Sequence, residues 1–267
     1  MQRAVTAELD LEPAGPVDLI LQVAVARRVA LPAEHLDIVH GDGEPLEATE
    51  LVDAAGNRLH RIHVGPGPVR IRYRATVGEA GAPEPADELD AIAFLRPSRY
   101  CQSDEVFAQS RRRFHGLAGH DLLAAVEDEV ATSVTYSPGT SRGTDSAVTT
   151  LATGQGVCRD YAHLVIALLR AMDVPARYAA VYAPGLEPMD FHAVAEACID
   201  GTWYVVDATR LAPRASLVRI ATGRDAADCA FLSSHGAALQ LTHLRVDARL
   251  EDVPLPTEDP SELVRLA

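Results

Sequence analysis

The sequence predicts an α+β fold, with an antiparallel β-sandwich-like unit at the N-terminus and then a larger unit in which a buried helix packs on an antiparallel sheet. Three observations predict it. Apolar residues alternate with polar ones between residues 17 and 76, the period of half-buried strands. The alternation stops at a segment rich in Gly and Pro. Beyond that, a run of helical period from Cys158 is followed by a strand, a tight turn and a second strand.

In chain order, Val17 to Ala26 places Leu19, Leu21, Val23 and Val25 on one face of a strand. Further strands fit residues 36–40, 46–53, 58–64 and 68–77, with Asp42-Gly43 and Ala55-Gly56-Asn57 as turns between them. Residues 1–77 therefore read as an N-terminal β domain. The stretch from Gly78 to Asp87 makes 78–90 a linker. Ser103, followed by Asp104 and Glu105, has the form of a helix N-cap with first-turn acids. Residues 119–132 and 146–153 also fit helices, and 176–250 returns to strands. The second domain is thus expected over 91–250, with 251–267 as a loose tail.

Composition narrows the function. At 267 residues and 48% hydrophobic, the chain has ample core. Its net charge is −14 and its basic residues are all arginine, which excludes Schiff-base and phosphate-loop lysines. An acidic chain with scattered arginines lacks the footprint of a nucleic-acid binder, and Arg111–Arg112–Arg113 reads as a solvated helix face. No apolar run approaches the roughly 18 residues of a membrane helix. The opening residues, MQRAVTAELDLEP, have no basic segment followed by an apolar one, so a cytoplasmic location is expected. The four cysteines, Cys101, Cys158, Cys198 and Cys229, include no CxxC pair, so no disulfide framework is expected.

Chemistry concentrates at Cys158. Apolar residues at 161, 164, 165, 168, 169 and 172 give a helix from about 158, and Gly154 and Gly156 let the chain turn just before it. A cysteine in the first turn meets the positive end of the helix dipole, which favours an anion. Taken alone, Cys158 reads equally well as an ordinary core residue. The hairpin shifts that balance. With Asp200-Gly201 as its turn, paired residue numbers sum to 401, so Asp207 lies opposite Val194 and diagonal to His192 on the same face. Diagonal neighbours are about 7–8 Å apart, within reach of a carboxylate–imidazole hydrogen bond. His192 is then a base oriented by Asp207, with Cys158 as nucleophile.

Other histidines compete poorly. His163 lies about 140° round the helix from Cys158, which suits a hydrogen-bonded supporting residue. His60 and His63 are three apart in a strand and face opposite sides. His115, His120, His235 and His243 have no interpretable partner spacing. A zinc set of Cys158, His163, His192 and Cys198 contains no close ligand pair, so no metal is expected. Gly154-x-Gly156-x-x-Arg159 lacks the third glycine of a dinucleotide fingerprint, so no cofactor is expected either.

At these residues the sequence resembles the bacterial transglutaminase-like superfamily. The motifs are Gly156-Val-Cys158-Arg-Asp160-Tyr-Ala162-His163, Asp190-Phe-His192-Ala-Val194-Ala-Glu196 and Trp203-Tyr-Val-Val-Asp207-Ala-Thr209. Val174-Pro-Ala-Arg177-Tyr and Leu95-Arg-Pro-Ser-Arg-Tyr100 are also similar to family segments, and the N-terminal strands resemble a β region found in many members. Val194 departs from the family, which has tryptophan there. The resemblance implies a papain-like core and a triad of Cys158, His192 and Asp207, with Asp160 and His163 as supporting residues. It implies thiolate attack on an amide or ester and an acyl-thioester intermediate. The oxyanion would be met by the Cys158 N–H and a second donor, for which Gln155 is the candidate by proximity.

Two function classes follow. One is a thiol hydrolase or acyl transferase acting on a peptide or protein amide; no feature marks a lysine-selecting channel, which favours hydrolysis over transamidation. The other is a catalytically idle binding or scaffold protein on the same fold. Substrate identity, oligomeric state and the role of the β unit are not encoded in any motif.

Overall fold

The computed structural model describes residues 1–27, 29–41, 43–79, 86–251, 253–259 and 262–266. Strands β1 (Gln2–Pro13), β2 (Val17–Leu21), β3 (Ala33–His40), β4 (Glu44–Pro45), β5 (Thr49–Val52), β6 (Arg58–Val64) and β7 (Val69–Val77) come first. They form two antiparallel sheets whose inward residues, among them Leu9, Leu11, Leu19, Leu21, Ile62 and Ile71, share one buried cluster. This is the expected sandwich, with two strands more than expected: the short β4 precedes β5 where one strand was expected over 46–53, and the unexpected β1 buries Val5, Ala7, Leu9 and Leu11 in strict alternation. The Asp42 half of one expected turn and residues 80–85 of the expected linker lie outside the described residues.

The second unit contains α1 (Glu88–Ala93), α2 (Phe107–Arg113), α3 (Gly119–Ser133), β8 (Thr135–Tyr136), α4 (Ala147–Thr153), β9 (Gln155–Gly156) and α5 (Cys158–Ala171). Its main sheet consists of β10 (Ala176–Tyr182), β11 (His192–Ile199), β12 (Thr202–Val206) and β13 (Val218–Gly223) in the order β12-β11-β10-β13, antiparallel throughout. Helix α5 is buried from Asp160 to Ala171, between this sheet and the other helices. Helix α2 starts later than expected: its N-cap is Val106, and the Ser103 N–H turns back to the Cys101 carbonyl. Among the described residues, no helix is long and apolar enough to cross a membrane.

Two boundaries differ from the sequence expectation. The chain does not stay in the second unit to residue 250, because β14 (Leu232–Gly236) and β15 (Leu239–Glu251) return to the sandwich. They pair with β2 and β1, whose open edges would otherwise leave unmatched backbone groups. The tail is not loose either. The Val205 N–H donates to the Val264 carbonyl at 2.8 Å, Glu258 pairs with Arg214, and Leu266 is buried against Val194 and Val205.

The two units are docked by buried polar contacts. The expected strand from Val17 to Ala26 ends at Leu21, and the buried residues Val23, Ala24 and Val25 run irregularly along the second unit. Their backbone is satisfied from both sides: Tyr182 donates to the Val23 carbonyl at 2.7 Å, and the Val25 N–H donates to the Tyr73 hydroxyl at 2.9 Å. The Ala26 N–H reaches the Arg219 carbonyl at 3.0 Å. Asn57 closes a two-way amide pair with Thr222, at 2.7 Å to its carbonyl and 2.8 Å from its N–H. Asn57→Ala strands both buried Thr222 groups and should destabilise the protein by about 2–3 kcal/mol, read from urea unfolding. An unchanged midpoint would show that the pair contributes nothing to docking.

Candidate active site

The turn before Cys158 is tightly specified. Gly154 ends α4 at φ +64°, and β8 and β9 pair in parallel, with the Thr135 N–H on the Gly154 carbonyl at 2.8 Å and Ser137 on Gly156 at 2.9 Å. Val157 caps α5 in an extended conformation, and its N–H donates to the Asp160 carboxylate at 2.8 Å. A Cβ on Gly156 would lie 2.6 Å from the Asp160 Cβ, so the close approach of that carboxylate requires glycine. Asp160 is thus placed as the support of the turn that holds Cys158.

The hairpin has the predicted register: Ile199 pairs with Thr202 and Ala195 with Val206, each pair summing to 401. His192 Nε2 lies 3.0 Å from Asp207 Oδ2, and both side chains are buried. A carboxylate only accepts, so Nε2 carries the proton and Nδ1 is the free nitrogen. The buried Nδ1 has no hydrogen-bond partner of ordinary length among the described residues. The second Asp207 oxygen accepts from the Thr209 N–H at 3.0 Å and from its hydroxyl at 2.7 Å. Thr209 closes the third sequence motif but was given no role there, although an aspartate accepting the N–H two residues on is the spacing of an Asx-turn.

Electrostatics favour the charged pair. Burial works against an imidazolium at His192, but the Asp207 carboxylate beside it, with a smaller contribution from Cys158, outweighs burial and raises it to about 10. Burial likewise pushes Asp207 up, and the His192 charge and the Thr209 donors hold it below the ordinary carboxylate range.

Cys158 is half-buried, whereas Cys101, Cys198 and Cys229 are buried. Burial pushes the Cys101 thiol up to about 12. Cys158 and His192 line one cleft of about 490 Å³, with Tyr178, Phe191 and Phe231 among its walls. Gln155 is exposed and does not line this cleft, so sequence proximity did not find a donor there. Tyr136, two residues from Cys158 across the β8–β9 pair, is the nearer side chain: partial burial and Cys158 raise its phenol to about 12.

His163 is fully buried, with Nε2 accepting the Ala226 N–H at 3.1 Å and its ring against Tyr100 and Tyr178 at 5.2 and 5.4 Å. Burial lowers it to about 3, so it is neutral and holds the loop that forms one cleft wall. Among the described residues, no group of three or more His, Cys, Asp or Glu side chains is placed to hold a metal ion.

The chain is similar to several known proteins. A family model for the transglutaminase-like superfamily matches residues 116–208. A candidate cysteine protease from Cytophaga hutchinsonii has a crystal structure that superimposes with a TM-score of 0.89 at 34% identity, covering 98% of this chain and 96% of that one. The Mycobacterium leprae protein ML0607 is 30% identical over 97 residues, which span 36% of this chain and about a third (34%) of that protein.

The buried pair makes stability depend on pH. His192 is raised in the fold, so its contribution is complete below about pH 6.5 and is lost as pH rises through about 10. Asp207 is lowered, so its contribution is lost as pH falls below its ordinary value, about 3.9. Asp207→Asn should therefore cost about 3 kcal/mol near pH 5.5, with the deficit shrinking toward pH 10. Melting temperatures of both proteins across that range check it; a deficit constant with pH would mean that the pair is not charged.

Proposed function

Since this chain belongs to the transglutaminase-like superfamily, we propose that it is a thiol hydrolase or acyl transferase acting on a peptide or protein amide. The observation that carries this reading is the buried His192–Asp207 pair, with the unpartnered His192 Nδ1 and the Cys158 thiol on one cleft.

In this reading the Cys158 sulfur, as thiolate, attacks the carbonyl carbon, and a C–S bond forms as the carbonyl π electrons move to oxygen. The oxyanion is met by the Cys158 N–H at the start of α5 and by a second donor. The His192 imidazolium then gives its proton to the departing amine as the C–N bond breaks, leaving an acyl-thioester. In the second half, neutral His192 takes a proton from water as the water oxygen attacks the thioester. Collapse releases the acid and the thiolate. Asp207 stays ionised throughout, holding the ring and stabilising its cationic form. An amine in place of that water gives transamidation; no sequence feature marks a lysine-selecting channel, which favours hydrolysis.

Mapping iodoacetamide alkylation at each cysteine tests the pair. Exposure alone makes Cys158 the fastest of the four, so the decisive comparison is His192→Ala, which should slow Cys158 at pH 7 by about tenfold or more. An unchanged rate would mean that the thiol and imidazole do not interact, and the idle-fold reading would replace this one. A glutamine peptide offered with an excess of amine separates the two reactions: free acid is expected, and an amine conjugate without acid overturns hydrolysis.

A further inference from the structure

The cleft exists because α5 begins at Cys158. Beyond its first turn, the sheet face that the helix covers is left open, and the residues there are small: Ala180 and Ala193 are a directly paired cross-strand couple lining the cleft. The Phe191 and Phe231 rings stack at 5.1 Å beside this floor. The charged residues at the rim are partly engaged, the Arg159 Nε having no hydrogen-bond partner among the described residues. Arg159 donates to the Ser141 hydroxyl at 2.6 Å and to the Arg142 carbonyl at 2.9 Å, and one Asp190 oxygen accepts the Phe191 N–H at 2.7 Å.

One polar side chain stands out. Gln22 lines the same cleft, is 4% exposed, and comes from the sandwich rather than from the unit that bears Cys158. Its backbone N–H is fixed on the Phe231 carbonyl at 3.0 Å, one step beyond the Leu21–Leu232 pair where β2 and β14 leave the sandwich. Its side-chain amide has no hydrogen-bond partner among the described residues. Neither of its polar atoms is sealed off, so both are open to a ligand in the cleft. It offers one acceptor and an N–H donor, and a group that complements both at once, present at nearly every residue of a peptide, is another amide.

We infer that Gln22 is a substrate-binding residue: its amide pairs with a backbone amide of a neutral peptide, whose large apolar side chain is selected by the alanine floor beside Phe191 and Phe231. This deepens the reading above and rests on it, since the peptide would be the acyl donor to Cys158. It also gives the sandwich a function, because a wall of the site is built where its strands end. A charged side chain in the same place would be desolvated on alanine and phenyl surfaces.

The test uses the full chain with Cys158→Ala, which removes the chemistry, and NMR titration with acetyl-Gly-Phe-Gly-Gly-amide. The Phe peptide should bind about tenfold or more tighter than its Glu or Lys counterparts. Adding Gln22→Ala should weaken it about tenfold. Gln22→Glu, which keeps the size and loses the donor, should weaken it at least as much. The inference is overturned if the Phe peptide does not bind, if the three peptides bind equally, or if both Gln22 variants bind like their parent. Failure of the nucleophile reading is seen separately, in the Cys158 alkylation rates: selective, Gln22-dependent binding with an inert thiol upholds the peptide site and removes the chemistry.

Discussion

Strand β11 carries two buried charges on one face, His192 and Glu196, and the rest of the site depends on matching both. Taking an ion out of water costs several kcal/mol unless a counter-charge and further hydrogen bonds meet it. Each has its own partners on different neighbours. His192 faces Asp207, just past β12, at 3.0 Å, while Glu196 receives Arg177 from β10 at 2.8 Å and Arg219 from β13 at 2.6 Å. A slip of one residue against either neighbour would turn the side chains to the other face and leave buried ions unmatched. The turn that sets the register has positive φ at both central residues, Asp200 (49°) and Gly201 (75°), as a tight two-residue hairpin requires. The base is therefore positioned by the same constraint that assembles the sheet.

The nucleophile is positioned independently. Cys158 is held by the Gly156 close approach, the Asp160 carboxylate on the Val157 N–H and the short β8–β9 pair, none of which involves the hairpin. What brings the two halves together is the packing of α5 on β10 and β11. Where that helix starts, the sheet it would have covered becomes the floor of the cleft.

The parts of this arrangement that were legible in the sequence are local ones. The helical period from Cys158 and the Asp200-Gly201 turn each depend on residues close in the chain, and the sum of 401 follows from the turn alone. Motif resemblance supplied the link between them. What was not legible is non-local. Val5, Ala7, Leu9 and Leu11 alternate plainly enough to mark β1, but nothing in those residues announces that β15, more than 200 positions later, covers its edge. The same limit governed the search for a polar group near the thiol. Proximity in sequence pointed to Gln155, which is exposed outside the cleft, whereas the buried amide in the cleft wall is Gln22, brought there by the return of β14. The buried segment Val23–Val25 looked like strand because it is apolar, yet its backbone partners come from Tyr73 and Tyr182 rather than from a ladder.

The lysine-free composition has a structural counterpart at such irregular places. Arg3 donates to the carbonyls of Ala215 and Ser216, tying β1 to the second unit. Arg170 donates to the carbonyls of Arg96, Ala176 and Arg224, and Arg214 holds Glu258 and the Asp259 carbonyl of the returning tail. All three arginines are buried. Arg3 and Arg170 each meet acceptors from three separate segments and Arg214 meets two adjacent residues of one, which a planar fork of five N–H groups can do and a compact, strongly hydrated ammonium does far less well. Carbonyls of non-ladder segments must be satisfied wherever they are buried. In this fold, irregular backbone runs between the units and around the cleft, and arginine, together with Tyr73, Tyr182 and Asn57, makes its burial tolerable. A lysine at any of these three positions would keep the charge and lose the multiple contacts that hold the segments together.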